Sequence, residues 1–338
     1  MTTQRVKLKH IAEKANISIN SVSKALKDSP SISAKTKELV RQIADELGYI
    51  PNAHAQTLRA GSLNVIAVIY DNLTNPYYST MSSILTEEFK KENIESMFFI
   101  EHHENGYLSE ILAKRIISYR VSGIITFLEP TENAANIIKQ NKIPLILIGR
   151  NGKKTNTTSI YSDDVEGGII AANTLIELNG KSFVYVTKHA ELEICRNRLL
   201  GFKRGLEANN YILKDDHIII GNTIETAESK LLKLLEKDNS IDSIFCFSDL
   251  IALEMEYLLQ QANYKIPEDI NIIGYDNLQD YLPYPLKISS IDGGKIEMSQ
   301  LAIKLLTKQI KQGYVEKPEY YKINVFYKKG KTSERKKY

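Results

Sequence analysis

Apolar and polar positions over the first fifty residues recur at helical spacing. Ile11 and Ala15 share one face of a first helix, and Val22 and Leu26 share the inward face of a second. Helices this short are marginal in water by themselves. The pattern therefore predicts that they pack on a third helix, over residues 34–47, as a small all-α unit.

The second short helix combines an N-terminal capping residue with a polar outward face. Ser18 is a favourable N-cap, and Asn20 and Lys24 are four residues apart, so both project from one side. A helix-turn-helix places such a face in a DNA major groove. There Asn20 would pair with adenine, Lys24 with guanine or a phosphate, and Ile19 with a thymine methyl group. The alternative is an amphipathic hairpin with a solvated face, because helix-turn-helix patterns produce many false matches.

From residue 64 onward, apolar strands alternate with amphipathic helices. The predicted strands are 65–70, 96–100, 123–128, 145–148, 183–187, 217–220, 244–247 and 270–273. The predicted helices are 77–92, 108–119, 132–140, 165–178, 195–209, 226–236, 250–262 and 295–312. This order predicts a doubly wound α/β architecture in two similar subdomains, with residues 159–164 crossing between two sheets and a cleft between them.

The positive charge of the chain is concentrated at its two ends. Residues 1–61 carry ten Lys or Arg against five acidic residues, and residues 328–338 carry six against one, which leaves the body acidic. A basic head suits phosphate binding. The basic tail matches no motif, so we expect a solvated, frayed terminus there.

Other sequence features argue against secretion, membrane insertion and catalysis. No signal-like segment and no apolar run of about 18 residues occurs, and Cys195 and Cys246 have no pairing-type spacing. We expect a cytoplasmic protein with two buried thiols. The six histidines, including His102 and His103, lack metal-ligand spacing, and Asp163 with Asp164 suits a helix N-terminus better than an acidic pair. We therefore expect no enzyme activity, no cofactor and no metal.

Characteristic segments follow one another along the chain in a specific order. They are KLKHIAEKANISINSVSKALKDSPSISAKTKELVRQIADELGYIPNAHAQTLRAG, VIAVIYDNLTNPYY, IPLILIGRN, SDDVEGG, RLLGF, CFSDLIALE, IPEDINIIGYDN and PLKISSID. In this order and spacing, the chain resembles the LacI/GalR family of bacterial transcription regulators over nearly its whole length. The resemblance implies a helix-turn-helix head and hinge helix followed by a type I periplasmic-binding-protein-like core. It also implies a homodimer, or a tetramer, that binds a palindromic operator in double-stranded DNA.

The resemblance also predicts domain boundaries and DNA contacts. The expected domains are 1–50 for DNA binding, 51–62 for the hinge helix, and 63–338 for effector binding and dimerisation, with an N-subdomain (63–161 and 291–324) and a C-subdomain (162–290 and 325–338). The predicted DNA-binding residues are Lys9, Ser18, Ile19, Asn20, Ser21, Ser23, Lys24, Asn52, His54, Ala55, Leu58 and Arg59. Leu58 falls where the family inserts a wedge into the minor groove. Three positions depart from the family, which usually has Thr at Lys7, Asp at His10 and Arg at Lys24.

An effector site is expected beyond the carboxyl ends of the core strands, where ligands of α/β sheets bind. The family positions map onto Tyr77, Tyr78, Arg198, Asp249 and Asp276, and Glu129, Arg150 and Phe247 are further candidates. Aromatic rings beside Arg and acidic side chains suit a sugar. The competing interpretations are a helix-surface arginine for Arg198 and a turn aspartate for Asp276.

The predicted function is repression of carbohydrate-utilisation genes, with release from the operator by a small sugar. Glu129-Pro-Thr and SDDVEGG are similar to arabinose-responsive repressors, which favours a pentose. The alternatives are a corepressor-dependent or global carbon regulator of the same fold, a sugar-binding module that does not bind DNA, and a sugar-processing enzyme with an accessory head.

Overall fold

The computed structural model describes residues 6–50, 65–101, 106–188, 190–221, 223–283, 285, 287–313 and 317–334. The chain forms two compact units, Met1–Leu63 and Asn64–Tyr338.

The first unit contains the three predicted helices, α1 (Leu8–Ala15), α2 (Ile19–Leu26) and α3 (Ala34–Glu46). Ile11, Val22 and Val40 are fully buried where the three helices meet. Asn16 adopts a left-handed conformation (φ 54°) between α1 and α2, which makes the turn tight. The predicted three-helix core is confirmed.

The helix N-termini of this unit are capped in different ways. Ser18 Oγ accepts the Ser21 backbone N–H at 3.0 Å, as the sequence predicts. Lys7 precedes α1 and offers no side-chain acceptor, but its own backbone N–H donates to Nδ1 of His10 at 3.2 Å. His10 therefore supplies one hydrogen bond at the N-terminus of α1, from the position where the family usually has Asp.

The second unit alternates strands and helices. Its strands are β1 (Val65–Tyr70), β2 (Glu95–Ile100), β3 (Tyr107–Leu108), β4 (Gly123–Thr126), β5 (Glu129–Pro130), β6 (Leu145–Ile148), β7 (Ser159–Ser162), β8 (Phe183–Thr187), β9 (Ile218–Ile220), β10 (Ser243–Cys246), β11 (Asn271–Tyr275), β12 (Ser289–Asp292), β13 (Tyr320–Ile323) and β14 (Phe326–Lys328). Its helices are α4 (Pro76–Lys91), α5 (Glu110–Ser118), α6 (Glu132–Gln140), α7 (Asp164–Glu177), α8 (Glu193–Ala208), α9 (Ile224–Lys237), α10 (Asp249–Gln261) and α11 (Lys295–Gln312).

These strands form two six-stranded sheets and one small ribbon. The first sheet has the order β13-β7-β6-β4-β1-β2, the second has the order β14-β12-β11-β10-β8-β9, and β3 pairs with β5. All pairings in the large sheets are parallel except β12 with β14. The chain passes between the sheets three times, after β7, after β12 and after β13, so the predicted two-subdomain α/β fold is confirmed.

Several short or polar strands were not predicted. Residues 159–162, interpreted from the sequence as part of a crossing, form β7, and the crossing itself is the step from β7 into α7. Ser289 and Ser290 are fully buried in β12, where their hydroxyls take part in hydrogen bonds. Apolar runs predict strands poorly where such hydroxyls replace aliphatic side chains.

The start of the basic tail differs from the frayed terminus that the sequence predicts. Thr332 and Ser333 are buried, and Thr332 Oγ1 donates to the carbonyl of Ile272 at 2.8 Å while the Ile272 N–H donates to the Thr332 carbonyl at 2.7 Å. Residues 326–334 therefore run along the second sheet.

Among the described residues, no helix is long and apolar enough to cross a bilayer. Cys195 and Cys246 are buried free thiols, as predicted.

Candidate functional site

The predicted DNA-reading face lies on α2. Ile19, Asn20 and Lys24 are exposed, whereas Val22 and Ala25 on the opposite face are fully buried. The helix therefore presents a polar face with one apolar side chain, the combination that reads base edges and thymine methyl groups.

The other predicted DNA-binding residues have varied environments. Ser18 and Ser21 are 2.9 Å apart at their hydroxyls and take part in the α2 cap, Ser23 is half-buried, and Lys9 is exposed on α1. Asn52, His54, Ala55, Leu58 and Arg59 lie outside the described residues.

Arg198 lies at the centre of the candidate effector cleft. It is 7% exposed, its Nε donates to Asp164 Oδ1 at 2.9 Å, and its Nη1 donates to the Phe247 carbonyl at 2.6 Å. Nη1 is also 4.0 Å from Asp276 Oδ1. The guanidinium carbon lies 3.4 Å from the ring centroid of Tyr275 and 4.7 Å from that of Phe247. Arg198 is therefore buried between carboxylates and rings, and the surface-arginine interpretation is wrong.

Glycines at the contact between α7 and α8 place Asp164 beside Arg198. A Cβ atom on Gly201 would collide with the Val165 carbonyl oxygen, and one on Gly168 would collide with the Arg198 carbonyl oxygen. Only glycine permits this approach of the two backbones. A Cβ atom on Gly167 would meet the Tyr275 ring at 2.7 Å, so this glycine leaves room for the ring that stacks on Arg198.

Burial and mutual attraction set the charges of this group. Burial raises the pKa of Asp164, while Arg198 lowers it. Burial raises the pKa of Asp276 to about 6, against the attraction of Arg198. Burial by itself would lower the pKa of Arg198, but the carboxylates of Asp164 and Asp276 raise it above its ordinary value. Arg198 therefore remains a cation.

Asp249 supports the loop that carries Asp276. Its Oδ2 accepts the Leu278 backbone N–H at 2.7 Å and its Oδ1 accepts the Ser290 hydroxyl at 2.6 Å. Burial raises its pKa to about 8. Because both oxygens already have protein partners, the structure shows Asp249 as a support for residues 276–280, and its contact with an effector stays a prediction.

Aromatic rings approach Asp276 from the first sheet. Asn75 caps α4 by accepting the Tyr77 N–H at 3.0 Å, which places Tyr77 and Tyr78 in the first turn. Their ring centroids are 5.4 Å apart, and Tyr78 lies 5.6 Å from Phe127. Burial raises the pKa of Tyr77, and the Asp276 carboxylate raises it further, so this tyrosine lies within electrostatic reach of the ionic group.

The remaining predicted cleft residues, Glu129 and Arg150, interact with each other at the rim. Burial raises the pKa of Glu129, and Arg150 and Lys154 lower it. Burial also raises the pKa of Tyr78, which Arg150 lowers. Lys154 reaches Glu193 at the start of α8 at 3.6 Å, so an ion pair connects the two halves of the core at this rim.

Three residues of the site are absent from the predicted effector-binding residues. Asp164 and Tyr275 flank the Arg198 guanidinium, and the buried Lys295 donates a hydrogen bond to the Asp276 carbonyl. Asp164 belongs to SDDVEGG and Tyr275 precedes Asp276, so motif membership could have indicated both. Lys295 begins an amphipathic helix, where a lysine normally indicates a solvated position.

The described residues contain no group of three or more His, Cys, Asp or Glu side chains that could hold a metal ion. The site is therefore built from a buried arginine, carboxylates, one lysine and tyrosines, which can bind a polar ligand by hydrogen bonds and ring stacking.

Comparisons with known proteins agree with both units. The profile for bacterial regulatory proteins of the lacI family matches residues 7–52, and the profile for a periplasmic binding protein-like domain matches residues 172–326. The HTH-type transcriptional repressor PurR of Aliivibrio salmonicida (strain LFI1238) is 24% identical over 313 residues, 92% of this chain and 94% of that protein.

Solved structures show the same fold. The lac repressor dimer bound to operator and the anti-inducer ONPF gives a TM-score of 0.82 at 19% identity, covering 98% of this chain and 99% of that one. A LacI family transcriptional regulator from Enterococcus faecium with bound ribose gives a TM-score of 0.67 at 24% identity, covering 81% and 100%.

A helix-turn-helix head joined to a periplasmic-binding-protein-like core defines a DNA-binding transcription regulator. The chain thus combines a lacI-family head with a periplasmic-binding-protein-like core, as the LacI-family regulators to which it is similar do, and the resemblance predicted from the sequence is confirmed. PurR, the lac repressor and the Enterococcus faecium protein are all regulators rather than enzymes.

Proposed function

We propose that this protein represses carbohydrate-utilisation genes and that a small sugar releases it from a palindromic operator. The observation that carries the proposal is the grouping of Arg198, Asp164 and Asp276 opposite Tyr77. The site thus combines charged hydrogen-bonding groups with aromatic rings at the carboxyl ends of parallel strands.

The chemistry of this grouping favours a neutral polyhydroxyl ligand. Arg198 is already paired with Asp164 at 2.9 Å, so it brings no unbalanced positive charge for a phosphate. Carboxylate and guanidinium groups form strong hydrogen bonds with neighbouring hydroxyls. The rings of Tyr77 and Tyr78 offer faces for the apolar side of a sugar ring.

Two observations support a pentose among the sugars. The similarity of Glu129-Pro-Thr and SDDVEGG to arabinose-responsive repressors favours one. The Enterococcus faecium regulator of similar fold was solved with bound ribose. A corepressor-dependent regulator of the same fold is the second candidate. In such a regulator the ligand would strengthen operator binding instead of weakening it.

The proposed assembly is a homodimer that buries an apolar edge of the first sheet. β2 is the terminal strand of that sheet, and it exposes Phe98 (45%) and Ile100 (57%). Ile111 of α5 is 82% exposed. An exposed apolar edge strand favours pairing with another chain, and a two-fold axis would pair it with itself. Paired heads would then read the two halves of a palindrome, and residues 51–62 are proposed as the hinge.

A thermal-shift screen of the full chain tests the effector. The ligands are D-ribose, D-xylose, L-arabinose, hexoses, disaccharides and their phosphates. We expect one neutral sugar to raise the unfolding temperature and to weaken binding to a palindromic duplex selected from a random library. Because both ligands act on one equilibrium, DNA should weaken sugar binding by the same factor. A sugar that strengthens DNA binding would favour the corepressor alternative, and stabilisation by phosphates alone would contradict the neutral-sugar proposal.

The DNA-reading face is tested by Lys24→Ala. Loss of a base contact should weaken binding to the selected duplex by about 1–3 kcal/mol, while sugar binding should persist. Lys304→Ala, which removes an exposed lysine from α11, is the matched control. Equal losses of DNA binding in both variants would show that Lys24 contributes only general charge.

A further inference from the structure

Lys295 is the only lysine with a buried side chain among the residues that the structure describes. It is 1% exposed at the first position of α11. Its Nζ donates to the backbone carbonyl of Asp276 and lies 4.7 Å from the Tyr281 ring centroid. Within the described part of the chain, no carboxylate forms an ion pair with this ammonium. A buried cation normally has such a partner, so its position requires an explanation.

The hydrogen bond of Lys295 connects the two halves of the core. α11 packs against α4 and against β4, β6 and β7 of the first sheet. Asp276, in contrast, directly follows β11 of the second sheet. A single side chain thus extends from the layer of one sheet to the candidate ligand-binding loop of the other.

The backbone of Asp276 adopts an unusual conformation that this bond helps to hold. Its φ is 108°, in a region that residues with a Cβ atom rarely adopt. The Asp276 N–H donates to the Ile291 carbonyl at 2.9 Å, and the Asp276 carbonyl accepts from Lys295. Such conformations persist where surrounding contacts over-determine them, and they cluster at functional sites.

Among the described charged residues around Asp276, Lys295 is the cation that forms no ion pair with a carboxylate. Asp164 is occupied by Arg198 at 2.9 Å, and Asp292 accepts from Asn277 Nδ2 and the Gly294 N–H, each at 2.8 Å. Asp249 is hydrogen-bonded to Ser290 and the Leu278 N–H. Tyr77 and Tyr275 supply the uncharged surroundings of the carboxylate.

Burial raises the pKa of Asp276, while Arg198 and Lys295 lower it, and Asp164 and Asp292 raise it. Without Lys295, Arg198 would be the one cation left among the groups named here that lower the pKa of Asp276.

We propose that Lys295 is a positioning residue of the effector site, which holds the Asp276 backbone in place and keeps the Asp276 carboxylate ionised so that it can accept hydrogen bonds from a ligand. The part of this role that concerns a ligand rests on the proposed function. The hold on Asp276 is a property of the unliganded protein, so it can be tested without any sugar.

The test compares thermal unfolding of the full chain with that of Lys295→Met between pH 5 and pH 9, without ligand. Methionine keeps the unbranched side chain up to the position of Cε and removes the ammonium group. At pH 5 the folded state of both proteins holds a protonated Asp276, so only the lost hydrogen bond and packing separate them. As the pH rises past 6, the wild type ionises Asp276 more readily than the variant does. The unfolding-temperature deficit of Lys295→Met should therefore grow by roughly 3–5 °C for each unit by which the pKa of Asp276 has risen.

Repeating the comparison in a protein that carries Asp276→Asn tests whether the pH dependence comes from the interaction between the Lys295 and Asp276 charges. Asparagine keeps the carbonyl acceptor but cannot ionise, so the pH-dependent part of the Lys295→Met deficit should largely disappear there. Lys304→Met, on the exposed face of α11, is the matched control and should show no growing deficit. A Lys295→Met deficit that is constant with pH, or that grows equally in the Asp276→Asn background, would overturn the proposal.

A second variant and a second measurement cover the remaining outcomes. If Lys295→Met does not fold, Lys295→Gln gives the same comparison, because its amide can still donate to the Asp276 carbonyl without a charge. Calorimetry with D-ribose and L-arabinose should then show that the variant loses affinity most at pH 6–7 and recovers part of it at pH 8–9. If neither sugar binds the wild type, the pentose proposal fails, while the unliganded pH comparison still decides the role of Lys295.

Discussion

The two sides of the candidate effector site differ in the interactions that hold them in place. On the side of the second sheet, Arg198, Asp164 and Asp276 form an ionic group with almost no exposure to solvent. On the side of the first sheet, Tyr77 and Tyr78 belong to an aromatic cluster with Phe127. The ionic side depends on long-range packing, whereas the aromatic side depends on a local helix start after Asn75.

This difference indicates at which residues a substitution would affect both the stability of the fold and the binding of a ligand. A member of a buried ionic group cannot be removed without leaving an uncompensated charge, so binding and folding fail together. Replacing a tyrosine by phenylalanine removes no charge and keeps the ring packing, so it costs little in folding and binding can change by itself. The variants below test this contrast from the largest expected effect to the smallest.

Arg198→Ala should have the largest effect. It leaves the buried Asp164 without its cation, so we expect a loss of about 3–5 kcal/mol in the free energy of unfolding, measured by urea titration, and no sugar-induced stabilisation. Arg198→Lys should recover only part of the stability, because an ammonium cannot reproduce the geometry of the guanidinium. Arg196→Ala, two residues away and exposed, is the control and should behave like the wild type. Unchanged sugar stabilisation in Arg198→Ala would show that the pocket lies elsewhere.

Asp249→Asn should have an intermediate and pH-dependent effect. The folded-state pKa of Asp249, about 8, lies above the ordinary value of ~3.9, so its contribution to stability is present at low pH and is lost as the pH rises toward 8. The variant lacks this titration. Its stability deficit relative to the wild type should therefore be largest below about pH 4 and shrink by about 1.4 kcal/mol for each pH unit between pH 4 and pH 8.

The control for this titration is Asp215→Asn, whose carboxylate is almost fully exposed. It should leave the pH profile of unfolding unchanged. A deficit of Asp249→Asn that is the same at pH 5 and pH 8 would contradict the raised pKa of Asp249.

Tyr77→Phe should have the smallest effect on folding. Burial raises the pKa of Tyr77, so its hydroxyl stays protonated and can donate to a ligand. Loss of one such hydrogen bond should weaken sugar binding by about 1 kcal/mol, roughly fivefold in affinity. The unfolding temperature should be almost unchanged. Tyr257→Phe, at an exposed position of α10, is the control. A large drop in the stability of Tyr77→Phe would mean that the two sides of the cleft do not differ as described.

The amino-acid sequence predicted most of the fold because its apolar periodicities are long. α6 and α11 have the predicted bounds, as do β1, β6 and β8. The short polar strands β7, β12 and β13 were missed, since their pairing depends on neighbours far along the chain. Within the candidate site, the motifs pointed to Arg198 and Asp276 but not to the Asp164 partner or the buried Lys295.

Local pattern by itself therefore determined the three-helix head, the alternation of strands and helices and the strand ends at which a ligand would bind. Those properties follow from side-chain spacing within about twenty residues. Only the tertiary structure decided which charges are buried together. Asp164 meets Arg198 because Gly168 and Gly201 let two helices approach, and Lys295 reaches Asp276 because the chain passes from the second sheet to the first between them. Such electrostatic partners are close in space but far apart in the sequence. The spacing of residues along the chain therefore does not predict which of them pair.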